Sequence, residues 1–297
     1  MLSTSWLWVA FTLIAAAAQT IRNAAQRELT ATLGTVGATH VRFLFGLPFA
    51  LFFLAGVCTV TRTVPPWPDA VFWPWVLDGA AAQFAATVLM LAAMNDRSFV
   101  VTIAYIKTEP VQVALFGLIL LGDPVTLRMA LAIVIATAGV MVMSLRGNAA
   151  RGGLKATLLG LGAGALFGLS AIGYRGAILS LGLPDFVMAA TFTLTVGLVL
   201  QSIILTLWLW WRDPAVLLAI ARAWRPSLFA GFMGALASQF WYLAFALATA
   251  ASVRTLALVE VLFAQAMSRI ALKQRTSARE VIGIVLIVIG VGLLMWP

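Results

Sequence analysis

Two stretches decide how this chain is read: TEPVQVALFGLILLGDPVTLRMALAIVIATAGVMV at residues 108–142 and VEVLFAQAMSRIALKQRTSAREVIGIVLIVIGVGL at residues 259–293. They are one pattern written twice, 151 residues apart. That offset carries Glu109 onto Glu260, Arg128 onto Arg279, Ile133 onto Ile284, Val134 onto Val285, Gly139 onto Gly290 and Val140 onto Val291 without a gap. Both copies are strongly apolar, so this is a membrane repeat rather than a stack of soluble units. A membrane bundle made twice is most often a transporter, with a site where the copies meet.

Composition leads to the same place. Hydrophobic residues make up 63% of the 297, charged residues only 10%, and the mean hydropathy is +1.04. Soluble domains carry roughly a quarter charged residues. No polar segment here is long enough to fold as one. Cys58 is the lone cysteine, which excludes an intrachain disulfide and a cysteine-based metal cluster. The net charge of +9 sits in short connections between apolar runs, a placement that fits membrane orientation and anionic headgroups better than nucleic acid. No basic segment followed by a small-residue cleavage site opens the chain, so the first apolar run is expected to be a retained span.

Apolar runs predict helices at 6–25, 36–57, 72–94, 99–121, 126–145, 154–179, 184–208, 226–248, 251–271 and 278–296. Turns separate them at Pro65-Pro66-Trp67-Pro68, Gly122-Asp123-Pro124 and Gly182-Leu183-Pro184, and Arg146-Gly147-Asn148 begins the link between halves. The expected fold is therefore an all-α integral membrane protein of ten transmembrane helices, five in residues 1–148 and five in 149–297. An odd number per half sends the second half into the membrane from the opposite side. The repeats are then inverted and can exchange conformations, giving inward-open and outward-open states.

At this point the residues carry a resemblance. Ten spans in two halves, a glutamate near the middle of each fourth span, and a Gly-Val pair in each fifth resemble the drug/metabolite transporter superfamily, its EamA-like branch above all. Glu109-Pro110 followed by Gly122-Asp123, and Arg42-Phe43 in span two, are similar to that branch as well. The second half departs from it, with Val261 in place of Pro110 and Lys273-Gln274 in place of Gly122-Asp123. The resemblance implies a secondary transporter of small metabolites, often an exporter. It also implies a central cavity lined by spans one, three, four, six, eight and nine.

Ionisable groups within spans are costly and usually face protein or water. The deep ones are Arg22, Arg42, Lys107, Glu109, Arg254 and Glu260, with Asp78 and Arg175 as further candidates. Thr102, Tyr105, Glu109 and Gln112 are spaced 3, 4 and 3, one helical face. Pro110 leaves the Ile106 carbonyl without its helical donor beside that face, a bend suited to a pocket wall or gate. Glu109 is thus a candidate substrate group. Its repeat partner Glu260 lies among apolar neighbours, which favours a helix-pinning part for both glutamates. Lys107 and Arg254 correspond to Leu258 and Ile103, so the repeat itself does not require them, and they join the candidate binding residues. Polar stripes add Gln19 and Arg22 on span one, Gln83 on span three, Tyr174 on span six, and Gln239, Trp241 and Tyr242 on span eight. Thr191, Thr195 and Ser202 read as helix-packing hydroxyls. His40, the sole histidine, has no second ligand, which argues against a metal.

No nucleotide loop, paired-aspartate motif or zinc spacing is present, so neither an enzyme nor a bound cofactor is expected. The expected function is secondary, cofactor-free export of a small polar metabolite such as an amino acid or other carboxylate. The alternatives are export of cationic drugs by the same fold and, behind it, a lipid-modifying enzyme. Expected partners are the small-molecule substrate, the bilayer of a bacterial cytoplasmic membrane and a coupling ion or proton, with the chain as monomer or homodimer. Connections after odd-numbered spans hold Arg27, Arg97, Arg146, Arg151, Lys155, Arg212, Arg222, Arg225, Lys273, Arg275 and Arg279, against Arg62, Arg128 and Arg175 on the other side. This bias places the odd connections in the cytoplasm and both termini outside. The family resemblance suggests the reverse.

Overall fold

A computed structural model describes residues 4–96, 105–144, 154–272 and 277–296. Thr102, Arg97, Arg146, Arg151, Lys273, Gln274 and Arg275 lie outside the described residues, as does the Gly147-Asn148 link. Every regular element among the described residues is helical. In order these are α1 (Thr4–Leu44), α2 (Leu47–Thr61), α3 (Phe72–Asp96), α4 (Glu109–Phe116, running into a π turn Gly117–Leu121), α5 (Leu127–Ser144) and α6 (Leu154–Ser180). There follow α7 (Phe186–Arg212), α8 (Pro214–Arg222), α9 (Trp224–Leu247), α10 (Ala250–Leu256), α11 (Val259–Leu272) and α12 (Ala278–Met295).

Starts and stops follow local chemistry. Asp185 caps α7 by accepting from Val187 N and Met188 N, Thr249 caps α10 through Ser252 N, and Ser277 with Glu280 closes a capping box on α12. Gly122, at φ 68°, ends the π turn after α4 in the left-handed region, which costs glycine nothing.

Within α1 two helical stretches meet at Gly34 (φ 66°, ψ 175°), inside the connection expected at residues 26–35. Gln26 Nε2 donates to Ala38 O at 2.9 Å across this break, a contact that twelve residues of continuous helix, about 18 Å long, would not permit. Thr30 and Thr32 return their hydroxyls to Gln26 O and Leu29 O on the way to it. Three other expectations about the spans need correction. Span two is interrupted at Phe45-Gly46, where Pro48 cannot continue the hydrogen-bond ladder. The link between spans seven and eight is itself a helix, α8. Spans four and nine are each interrupted, at Lys107-Thr108 and at Ala257-Leu258.

Among the described residues six helical segments are long and apolar enough to cross a membrane: Glu28–Thr61, Leu127–Ser144, Thr157–Ser180, Phe186–Arg212, Trp224–Leu247 and Ala278–Met295, with Glu109–Leu121 a shorter apolar one. The chain forms two compact units, one of residues 1–80 and 173–247, the other of 81–172 and 248–297. Each unit draws on both sequence halves.

In the first unit α1 packs along α9, and α7 packs on α9 and α2. Its small side chains set the helix spacing. A Cβ on Gly231 would come within 2.5 Å of Phe45 Cβ, and one on Gly173 within 2.6 Å of Gly79 N.

In the second unit α5 and α12 form the main pair. Gly139 sits against Gly283 O and Ile287, while Gly290 sits against Ala132 O and Ala136. Subtracting 151 turns 283 and 287 into 132 and 136, so the contact maps onto itself, residue for residue. It is a pseudo-two-fold interface within one chain. As the α5 number rises its partner number falls, so these two equivalent helices run antiparallel.

Candidate functional site

The second unit's polar centre is built on the two broken helices. Both breaks replace helical bonding with shorter turns: Thr108 N donates to Tyr105 O and Val111 N to Thr108 O, while Leu258 N donates to Thr255 O and Val261 N to Leu258 O. The first break has an evident cause in Pro110. The second forms with Val261 in that position, so proline is not the general reason.

Each break delivers a glutamate to the start of the following helix. Lys107 Nζ donates to Glu260 Oε2 at 3.0 Å, and Arg254 Nε stands 3.1 Å from Glu109 Oε1. The bridges are crossed: each glutamate takes its cation from the other half of the sequence. They differ in quality. The Lys107 bridge is also a hydrogen bond, whereas the Arg254 Nε–H does not point at the carboxylate and makes a charge contact only. Glu109 and Glu260 are each 8% exposed, so both carboxylates lie in a setting where a lone charge would be expensive. As pairs they are tolerated and add little net stability, but removing one partner leaves the other's charge less well compensated.

The pseudo-symmetry of α5 and α12 extends to the glutamates and not to the cations. Under the 151-residue offset Arg254 corresponds to position 103, yet the cation that Glu260 receives comes from position 107, four residues on. One helical turn separates the two choices.

The face predicted from Tyr105, Glu109 and Gln112 survives the break, because α6 presents glycines opposite it. A Cβ on Gly160 would come within 2.7 Å of Tyr105 Cβ. On Gly164 it would lie 2.9 Å from Ile106 O, and on Gly168 3.7 Å from Glu109 Cγ. Gln112 Nε2 donates to Leu161 O at 3.2 Å on the same helix. Sequence reasoning passed over Gly160, Gly164 and Gly168, although their four-residue spacing in an apolar helix is the usual sign of close helix approach. Gln83, on α3 in this unit, is half-buried, and its carbonyl accepts Thr87 Oγ1.

The remaining candidates lie in the first unit. Trp241 Nε1 donates to Gln19 Oε1 at 3.1 Å, with the indole 5% exposed. Arg22 Nη2 donates to Asn23 Oδ1 at 2.7 Å, and a Cβ on Gly234 would lie 3.1 Å from Arg42 Cγ and 3.5 Å from Arg22 Cδ. Gln239 Nε2 donates to Thr191 Oγ1 at 2.7 Å, so this residue is tied to one of the packing hydroxyls. Tyr174 and Tyr242 stack at 4.9 Å, and Tyr174 hydrogen-bonds to Tyr242 and Gln201. Gly79 and Gly197 make the slot for the Tyr174 ring. Arg175 donates to Phe245 O, which spends its charge on a backbone carbonyl. His40 is fully buried with Nε2 3.0 Å from Thr206 Oγ1, a contact of helix packing. Thus Lys107, Glu109, Arg254 and Glu260 come together as a group, whereas Gln19 with Trp241 and Tyr174 with Tyr242 form separate pairs.

The sequence pattern of the EamA-like transporter family matches residues 6–145 and again 154–296. This chain belongs to the EamA-like transporter family. It is an integral membrane protein of the drug/metabolite transporter superfamily, a family of transporters rather than enzymes. Solved structures share the fold of this EamA-like protein. One crystal structure superposes with a TM-score of 0.74 at 14% identity, covering 99% of this chain and 96% of its own. No curated protein matches this EamA-like chain by sequence. In family terms, each crossed bridge joins one matched stretch to the other.

Proposed function

We propose that this chain is a secondary transporter that exports a small zwitterionic or carboxylate-bearing metabolite, an amino acid being the simplest example, by alternating access of two inverted five-helix repeats. The observation that carries the substrate class is the crossed quartet. Two cations and two carboxylates balance each other at rest. A ligand with both charges keeps that balance: its ammonium replaces Arg254 at Glu109, and its carboxylate is shared by Arg254 and by Lys107, whose three N–H donors let it keep Glu260. A purely anionic or purely cationic ligand would leave the centre with a net charge. The inversion is supported by α5 and α12, which are equivalent in sequence and antiparallel in their contact.

Lys107 and Arg254 receive the carboxylate and Glu109 the ammonium, while Glu260 with Pro110 serves the packing and bending of the two broken helices. Gln19, Arg22, Gln83, Tyr105, Tyr174, Gln239, Trp241 and Tyr242 complete the proposed binding set. Energy comes from an ion or proton gradient, exchange or the substrate gradient, since no residues for nucleotide hydrolysis are present in the sequence.

Purified protein in sealed vesicles should exchange labelled amino acids without ATP, saturably and with counterflow. An absolute need for ATP, or transport of monovalent cations with no response to zwitterions, would overturn the reading. A thermal-shift screen of metabolites should narrow the substrate, because a ligand that binds only the folded state raises the melting temperature.

A further inference from the structure

We propose that the elbow made by the end of α7, by α8 and by the start of α9 is a binding site for the headgroups of anionic phospholipids. α7 and α9 are both long and apolar enough to cross a membrane. The chain leaves the apolar layer through one and re-enters through the other, so the nine residues of α8 sit at a single surface.

α8 has two sides. Val216, Leu217 and Ile220 pack onto the cluster of Leu29, Leu33, Val41, Leu209 and Ala230. Gly37 makes room for this, since a Cβ there would lie 2.8 Å from Val216 Cγ1. The helix is thus anchored to the protein by its apolar face. Its outer face continues through Leu218 and Arg222, both exposed. A short helix with one apolar side docked and a basic residue on the other suits a membrane–water boundary.

The flanks supply the recognition chemistry. Trp210, Trp211 and Trp224 are 67%, 81% and 51% exposed, a heavy exposure of indole at the point where two spans end. Indole rings settle at headgroup depth, where the ring is shielded and the N–H stays wet. Arg212, Arg222 and Arg225 are all exposed, opposed in this stretch by Asp213 alone. The Arg225 guanidinium lies 5.3 Å from the Trp224 ring centroid, which holds it near the ring that marks the boundary. Guanidinium groups pair with phosphate through two parallel hydrogen bonds. Phosphate at that depth belongs to lipid headgroups, and the excess of arginine selects those with net negative charge.

The experiment uses the full-length chain in neutral detergent, titrated with phosphatidylglycerol or phosphatidylcholine of identical acyl chains, with bound lipids counted by native mass spectrometry. Wild type should retain phosphatidylglycerol in preference, and the preference should shrink as salt rises above about 0.1 M. Each arginine replaced by glutamine should weaken it about fivefold. Arg222→Gln with Arg225→Gln should nearly abolish it, Arg222→Lys with Arg225→Lys should retain most of it, and Arg62→Gln on another connection should leave it intact. A glutamine pair that keeps the wild-type preference would overturn the proposal, as would displacement of the lipid by equimolar soluble glycerol phosphate. A second measurement needs no variant: phosphatidylglycerol brominated on its acyl chains should quench tryptophan fluorescence more than the same mole fraction of brominated phosphatidylcholine. Equal quenching by the two lipids would also sink it. None of these readouts depends on the transport reading.

Discussion

Arg254 Nε and Glu109 Oε1 lie 3.1 Å apart but do not share a hydrogen bond, whereas the matching bridge from Lys107 to Glu260 does. Of the two crossed bridges, the Arg254 one therefore has less to lose when a ligand arrives. Arg254 is the group expected to change partners first.

Glu109→Gln should both destabilise the protein, by about 1–2 kcal/mol, and abolish zwitterion binding, because the half-buried Arg254 loses the carboxylate 3.1 Å from its Nε. The double variant Glu109→Gln with Arg254→Gln should regain much of the stability and none of the binding. Thermal unfolding in detergent and a binding titration on the same samples measure both. Losses that simply add would show that the two residues do not interact.

Lys107→Gln separates the substrate readings. On the zwitterion reading it weakens binding as much as Glu109→Gln does. If Lys107→Gln binds like wild type while Glu109→Gln binds nothing, the carboxylate has no partner at Lys107 and cation transport becomes the better account.

Glycine replacements test the packing directly. Gly164→Ala puts a methyl 2.9 Å from Ile106 O, a backbone atom that cannot move aside, and should cost about 1–3 kcal/mol. Gly292→Ala meets nothing within 4 Å and should be neutral or stabilising by up to about 1 kcal/mol through helix propensity. Gly139→Ala and Gly290→Ala should each behave like Gly164→Ala, and comparably to one another, because they occupy equivalent places in one pseudo-two-fold contact. Melting temperatures of the four variants decide the order.

Gln239→Leu should cost about 1–3 kcal/mol, since Thr191 Oγ1 loses its buried donor at 2.7 Å. Adding Thr191→Val should cost little more. A full additional loss from the second change would mean that the hydrogen bond is not the reason these residues are there.

A carboxy-terminal reporter that works only in the cytoplasm should stay silent, as the excess of Lys and Arg after odd-numbered spans requires. A strong signal would reverse the orientation and put the α8 elbow on the outer face.

The sequence alone determined the chain's class. A 63% apolar composition admits only a membrane protein, and an offset of 151 residues that preserves Glu, Arg and Gly-Val positions admits only a duplicated bundle. Those are one-dimensional facts, since periodicity and hydropathy are written along the chain. Helix interruptions were legible where a residue forbids bonding, as at Pro110, and illegible at Ala257-Leu258, where no residue does. The break at Gly34 was legible too, as a polar stretch ending in a glycine, the residue that takes a positive φ at no steric cost.

Partner choice needed the tertiary structure. Lys107 and Glu109 are two residues apart and do not pair, whereas Lys107 and Glu260 are 153 apart and do. Which charges neutralise one another depends on which helices the glycines of α6, α5 and α12 allow to approach, and that is a matter of contact geometry rather than of order along the chain. A sequence lists the deep charges; packing decides which of them remain available to a ligand.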